Sequence, residues 1–238
     1  MLFKNIFSKT KNHLDIWEIW SYPSVIVKKS ENPVINNEIY VYTTSSINEF
    51  SLNNAELCLQ KHGFNKDDDA TYQIDNLVEM LYYATFRVKC DINIYMQKDI
   101  CFRFTKTDLI KISSYIDYLS CTVAYNSNTI SLQQFINAQK DTIVFYSTPL
   151  GNDMNGNPKL YCLNTNQSNF SYLPIFLKQE HLVEFYKDNR AGFMILNSTL
   201  EQYLNTLDSN ELLSRMGVVI EPMKDCNIAI EPGIRVIS

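Results

Sequence analysis

The side chains best suited to nucleophilic or metal chemistry in this sequence are three histidines and six cysteines, and their spacing favours neither. His13, His62 and His181 stand far apart, and the cysteines fall at 58, 90, 101, 121, 162 and 226. No CxxC pair occurs and no histidine lies close to two cysteines, whereas a zinc site needs that convergence. No histidine adjoins a Ser or Cys in a nucleophile signature such as GxSxG. A Cys–His pair would have to assemble in space, and scattered cysteines with few histidines are the ordinary condition of such a chain. Cys58, Cys90 and Cys121 fall inside apolar helical patterns, as buried thiols of a reducing compartment do. With only six glycines, neither GxGxxG nor GxxxxGK[ST] occurs, which excludes a glycine-rich phosphate cradle. No catalytic, cofactor-binding or metal-ligating residue is assigned, and no cofactor is expected.

The carboxylates are denser. Asp67, Asp68 and Asp69 are consecutive. Hard cations want oxygen ligands, but the run lacks the alternating spacing of a calcium loop, so a solvated loop is the better reading. Glu180 and Glu184 share one helix face at i, i+4, where their repulsion costs about a few tenths of a kcal/mol. No neighbouring group marks either for acid–base work. These five acids are the candidate contacts for a basic protein partner. Aromatic residues are plentiful, at 15 Tyr, 13 Phe and 2 Trp. Tyr82, Tyr83, Tyr115, Tyr118 and Tyr125 crowd the middle of the chain, and a core role outweighs an interface role for them. Trp17 and Trp20 lie on one helix face and anchor that helix.

The elements that must position these groups follow from periodicity and punctuation. Residues 12–20 read as a short helix with an Asn cap, ended by Pro23. Val25–Val27 and Ile39–Thr44 read as strands around a Ser-Glu-Asn-Pro turn, and Ser51–His62 as a helix closed by Gly63. After a polar loop over 64–71, Ile74–Lys89 reads as a helix with Ile74, Leu77, Val78, Leu81 and Thr85 on one stripe. Ile92–Tyr95 and Ile100–Thr105 form a hairpin. Thr107 caps a helix carrying Leu109, Ile112, Ile116 and Leu119, and Ser131 opens another through Ala138. Thr142–Ser147 is a strand, with Lys159–Leu163 its returning partner across an Asn155-Gly156 turn. Tyr172–Leu177 and Phe193–Leu196 are strands. Each is followed by a helix, Gln179–Lys187 and Leu200–Leu207, the second capped by Ser198 or Thr199. Gly217–Ile220, Asn227–Ile230 and Arg235–Ile237 are short closing strands. The fold class is α+β, with mixed or antiparallel sheets packed with helices in two closely packed parts, over 1–130 and 139–238.

Composition bounds the function class. Apolar residues at 45% and charged residues at 20% suit a globular chain. The formal net charge is -5, with 13 basic and 15 acidic side chains before Gln139 and 8 and 11 from Gln139 on. No Lys/Arg run exceeds two, so the clustered positive face that nucleic acid demands is missing. No stretch approaches the roughly 18 apolar residues of a membrane span. The first residues, Met-Leu-Phe-Lys-Asn-Ile-Phe-Ser, lack the apolar core of a signal peptide, so the expected location is the cytoplasm.

The C-terminal part carries a recognisable order of short segments. Thr142-Ile-Val-Phe-Tyr-Ser-Thr-Pro, Tyr172-Leu-Pro-Ile-Phe-Leu, Gly217-Val-Val-Ile-Glu-Pro and Asn227-Ile-Ala-Ile-Glu-Pro-Gly-Ile follow one another. Together, over residues 139–238, they resemble the N-terminal domain of the SseB family. Glu221 stands where that family usually has Asn. The resemblance implies a small α+β domain with no established catalytic centre. Members look like interaction or accessory modules, and some similar domains look like immunity proteins of bacterial toxin systems. It supplies no functional residues. Pro174, Pro222 and Pro232 have a backbone reason, since each fixes φ near a strand end. Residues 1–138 match no family.

The leading expectation is a non-enzymatic protein-binding module, in sharper form an immunity protein that neutralises a cognate toxin by direct binding. The alternative is a small-ligand protein or enzyme with its site in the N-terminal half, where a cleft would gather His62 or Cys58 with Asp67–Asp69. A third reading is an accessory domain that only self-associates. The oligomeric state is open.

Overall fold

The computed structural model describes residues 16–44, 46–65, 70–97, 100–149, 154, 161–164, 170–188, 192–234 and 236. The fold is α+β with mixed and antiparallel sheets. The chain divides into two compact units, 1–120 and 121–238. Asp67, Asp68, Asp69, His13, the Trp17 side chain and the Asn155-Gly156 turn lie outside the described residues.

The first unit is built on a five-stranded sheet of order β3-β1-β2-β4-β5. Its strands are β1 (Pro23–Lys29), β2 (Glu38–Tyr42), β3 (Ala70–Asn76), β4 (Asp91–Met96) and β5 (Ile100–Phe104). β2 and β4 run parallel, and the other neighbours are antiparallel. Strand alternation puts Val25, Val27 and Tyr42 on one face. There they are buried with Ala55, Cys58 and Leu59 of a helix over Leu52–Lys61. Gly63 follows that helix at φ +88, the left-handed conformation a C-terminal stop needs. Residues of the other parity, Ile26, Ile39, Val41, Ile92 and Ile94, are equally buried. So are Leu77, Val78, Leu81, Leu109, Ile116 and Leu119 of the helical segments Leu77–Tyr82, Lys106–Lys111 and Ser113–Asn126. Burial of both sheet faces explains the unbroken apolar run Val25–Val27 of β1, whereas Glu38, Asp91 and Asn93 interrupt β2 and β4 on the Tyr42 face.

Two expectations need correction here. The segment read as the first turn of a helix at Ile74 is the end of a strand. All seven residues of β3 pair with β1, from Pro23↔Asn76 to Lys29↔Ala70, and Ile74 is 53% exposed. The helix begins at Leu77, and its last turns from Tyr83 to Val88 widen to a π-helix that ends at left-handed Lys89. A seven-pair ladder outcompetes one helical turn, which has no tertiary partner of its own. The cap after β5 is Thr105, not Thr107. Its hydroxyl accepts from Asp108 N while Asp108 reaches back to Thr105 N, closing a capping box that starts the helix earlier.

The second unit places two strands, β6 (Ile143–Pro149) and β9 (Phe193–Thr199), in a seven-residue antiparallel ladder. A four-stranded sheet of order β11-β10-β8-β7 stands beside it, with β7 (Leu163–Asn164), β8 (Ser171–Ile175), β10 (Gly217–Ile220) and β11 (Ile228–Ile230). The two join where Phe145 and Phe176 exchange backbone hydrogen bonds of 2.6 and 2.8 Å. The expected hairpin between 142–147 and 159–163 is therefore corrected. β6 pairs with β9, and the described end of the returning segment, Leu163–Asn164, pairs with β8. A long ladder with β9 satisfies more of the β6 backbone than a local turn could. β8 and β10 are parallel, with Pro174 opposite Val219. β7 reaches only Ser171 and Tyr172, so it needs no donor from Pro174. Of the closing segment 235–237, only Val236 is described, and it is not in a strand. Capping boxes at Ser131 and Thr199 open the helices Leu132–Ala138 and Leu200–Asp208.

Gly217 opens β10 where a side chain has no room. A Cβ there would stand 2.6 Å from the Tyr172 ring and 2.8 Å from the Ile230 carbonyl oxygen. The ring can turn, but the carbonyl belongs to the neighbouring strand. We expect Gly217→Ala to lower unfolding stability by about 1–3 kcal/mol through overpacking. Urea denaturation followed by circular dichroism checks this, and an unchanged midpoint would show that β11 gives way freely.

Candidate functional site

The predicted pair Glu180 and Glu184 sits on the helix Gln179–Tyr186, which follows β8. Leu182 and Tyr186, four residues apart, bury one face of this helix. They pack with Phe176, and Phe145, Phe185, Phe193 and Ile195 lean on the same cluster. The Tyr186 ring meets Phe185 edge-on at 4.9 Å, and burial pushes its phenol up to about 12. Glu180, Val183 and Glu184 point the other way and are exposed. Glu180 lies in the first turn, where a negative charge suits the helix dipole. Glu184 meets Lys187 at 2.5 Å in an exposed pair of small energetic weight.

What holds this helix is a buried carboxylate that sequence reasoning did not single out. The N-cap Lys178 makes no side-chain cap bond. Glu221, only 1% exposed, sits in the turn after β10 at φ +51. Its Oε1 accepts from Leu177 N at 2.7 Å, and its Oε2 meets His181 Nδ1 at 2.8 Å. The imidazole and the carboxyl share one hydrogen bond across that gap. The Glu221 backbone N–H donates to the Ile175 carbonyl at 2.9 Å. One residue thereby ties the ends of two parallel strands to the first turn of the helix. Left-handed backbone is the conformation Asn tolerates best after Gly, and Glu221 adopts it with the reach needed to meet His181.

A carboxylate that orients an imidazole supplies two of the three members of a nucleophile-activating triad. The thiol near Glu221 is Cys226, fully buried. Burial, reinforced by the Glu221 charge, pushes it up to about 12, so it stays protonated and a poor nucleophile. The arrangement is suited to anchoring.

A second polar cluster lies on the first unit's sheet, on the face of Tyr42. Arg103 of β5 meets Glu38 Oε1 at 2.5 Å and Asp91 Oδ2 at 2.8 Å. Glu38 Oε2 also accepts from Tyr40 at 2.6 Å and from Asn93 at 3.0 Å. The Arg103 guanidinium and the Lys106 N–H hold the Asp91 carboxyl below its ordinary value. Burial, helped by Glu38, pushes the Tyr40 phenol up to about 12, so it is a donor at neutral pH. His62 stacks on Tyr95 with ring centroids 4.2 Å apart, and Cys58 Sγ contacts the Met96 carbonyl at 3.9 Å. The structure thus brings His62 beside β4 and leaves Cys58 in the core. Among the described residues, no group of three or more His, Cys, Asp or Glu could hold a metal ion. Likewise, no helix is long and apolar enough to cross a membrane.

No protein-family model matches the chain, and no curated protein matches it in sequence. Among solved structures, Tic22 of Anabaena, described with protein transport, is similar at 13% identity and a TM-score of 0.25. The match covers 85% of this chain and 88% of that one. At that TM-score the likeness carries no argument.

Two outcomes follow from the anchors. Glu221→Gln keeps the shape but replaces one acceptor oxygen by an amide donor, so Oε1 can still accept from Leu177 N–H while His181 must turn its Nδ1 into the acceptor to keep its contact. A cost of about 1–3 kcal/mol is expected, with faster hydrogen exchange over 177–186. Wild-type exchange in that helix would show that the carboxylate does not hold it. Asp91 binds its proton less readily folded than unfolded, so its contribution is present above about pH 4 and is lost as pH falls through the depressed value. Asp91→Asn should flatten the acid limb of a thermal-stability profile, and an unaltered limb would mean the Arg103 contact does not act through that carboxyl.

Proposed function

We propose that this chain is a non-enzymatic protein-binding module, in its sharper form an immunity protein that neutralises a cognate toxin by direct binding. The observation that carries the reading is the helix Gln179–Tyr186. Its inner face is locked by Leu182, Tyr186 and the His181–Glu221 pair. Its outer face offers Glu180 and Glu184 around exposed Val183. A preordered acidic helix with an apolar centre suits a basic partner, because little ordering entropy is lost on contact. The likeness of residues 139–238 to the SseB family points to the same class, as analogy. The net charge of -5 favours attraction of a basic surface. Asp67, Asp68 and Asp69 remain candidates for a second acidic contact. The cytoplasm is the compartment this reading requires.

A second reading, a small-ligand protein or enzyme working from the first unit, rests on the Glu38, Tyr40, Asn93 and Arg103 cluster. Those groups are polar and converge, but they satisfy one another. The binding reading therefore leads.

The test is affinity capture of the tagged protein from its native lysate, with mass spectrometry of what is retained. One stoichiometric partner with a basic, toxin-like domain is expected, and Glu180→Lys/Glu184→Lys should cut its recovery at least about tenfold at low salt. Equal recovery by the charge-reversed protein would remove this helix from the interface. Stoichiometric metal in the purified protein, or hydrolase activity, would overturn the non-enzymatic reading.

A further inference from the structure

β5 ends the five-stranded sheet: among the described residues nothing pairs with its outer side. Backbone directions on this edge can be read from its neighbours. Thr43 N donates to the Tyr95 carbonyl at 2.9 Å, and Tyr42 is the parallel partner of Tyr95, so Tyr95 turns its backbone groups toward β2. Tyr95 and Cys101 are then a non-hydrogen-bonded pair of the β4–β5 ladder, and Ile94 with Phe102 a hydrogen-bonded one. The N–H and C=O groups of Cys101 and Arg103 accordingly point outward. Both residues are exposed.

This edge is self-complementary. Antiparallel pairing with an identical strand about a two-fold axis normal to the sheet keeps each sheet face continuous. With the axis at Phe102, each Cys101 faces Arg103 of the second copy, and the two pairs exchange four backbone hydrogen bonds. The two Phe102 residues form the non-hydrogen-bonded pair on the axis, with Cα atoms about 4.5 Å apart. That brings their half-buried rings together on the face opposite Arg103. Arg103 meets an uncharged Cys101 instead of another Arg103. Its own charge is already matched by Glu38 and Asp91. Residues 100–104 contain no proline or lysine, the usual guards of an edge strand. We propose that this chain forms a two-fold dimer by pairing β5 with β5 of a second copy. A foreign strand could use the same hydrogen bonds, but only an identical strand supplies Cys101 and Phe102 at the matching positions.

Sedimentation velocity of the full chain tests this, with one variant that acts on the outer edge alone and one that sets a cross-link across it. Wild-type protein should sediment at twice the monomer mass at ~100 μM. Cys101→Pro removes one outward donor and leaves the ladder with β4 intact, so it should shift the species to monomer with unchanged circular dichroism. Arg103→Cys sets a thiol opposite Cys101 of the second copy, with Cα atoms about 5.5 Å apart, within disulfide reach. Mild oxidation should convert most of that variant to a reducible covalent dimer, and Cys101→Ser added to it should abolish the cross-link. A monomeric wild type, a Cys101→Pro protein that still dimerises, or no cross-link specific to Cys101 would each overturn the proposal.

Discussion

A buried carboxylate needs its oxygens satisfied, and in the second unit that requirement organises the region around the acidic helix. Glu221 is nearly solvent-free, and its two oxygens meet one backbone N–H and the His181 imidazole. Those partners come from the segment after β8 and from the first turn of the next helix, while the Glu221 backbone is bonded to β8 itself. Strand end, turn and helix start are thereby fixed together. The helix has no side-chain cap of its own, so this contact does the work a capping residue does elsewhere. A left-handed φ at a non-glycine residue costs about 1 kcal/mol or more. The surrounding contacts hold it, and the return is a helix whose outer acids stand in fixed positions.

The first unit treats charge differently. Its ionic groups are gathered on a half-covered sheet face, where water screens them and each has several partners. Arg103 bridges two carboxylates, Glu38 takes two further donors, and the raised phenol of Tyr40 stays a donor at neutral pH. Such a network costs little to keep and little to expose. Its bearing on function lies in placement: Arg103 belongs to the outer strand, beside main-chain groups turned away from the sheet. Edge strands are usually blunted, and this one carries its charge already neutralised.

The apolar stripes of the middle helices were legible because period and burial agree. Leu109, Ile112, Ile116 and Leu119 are all buried, as their spacing implies. The cap at Ser131 and the left-handed Gly63 were legible for the same local reason, and the structure chose Thr199 from the two residues, Ser198 and Thr199, that the sequence offered. β3 was not. Ala-Thr-Tyr-Gln-Ile-Asp-Asn has no strong alternation, and only its ladder with β1 makes it a strand. The partner of β6 was misread because a nearby turn signal says nothing of a strand some fifty residues further on.

The sequence by itself determined the class: an α+β chain without phosphate loops, with no basic run and no clustered metal ligands, whose acids crowd on Asp67–Asp69 and on Glu180 and Glu184. These are properties of composition and local spacing. Tertiary structure alone decided that His181 meets Glu221 across 40 residues, that Arg103 joins Glu38 and Asp91, and that Cys101 and Arg103 face outward from the last strand. The reason is physical. Hydrogen bonds and ion pairs act over about 3 Å in space, and chain closure brings together residues whose separation along the sequence carries no local signal.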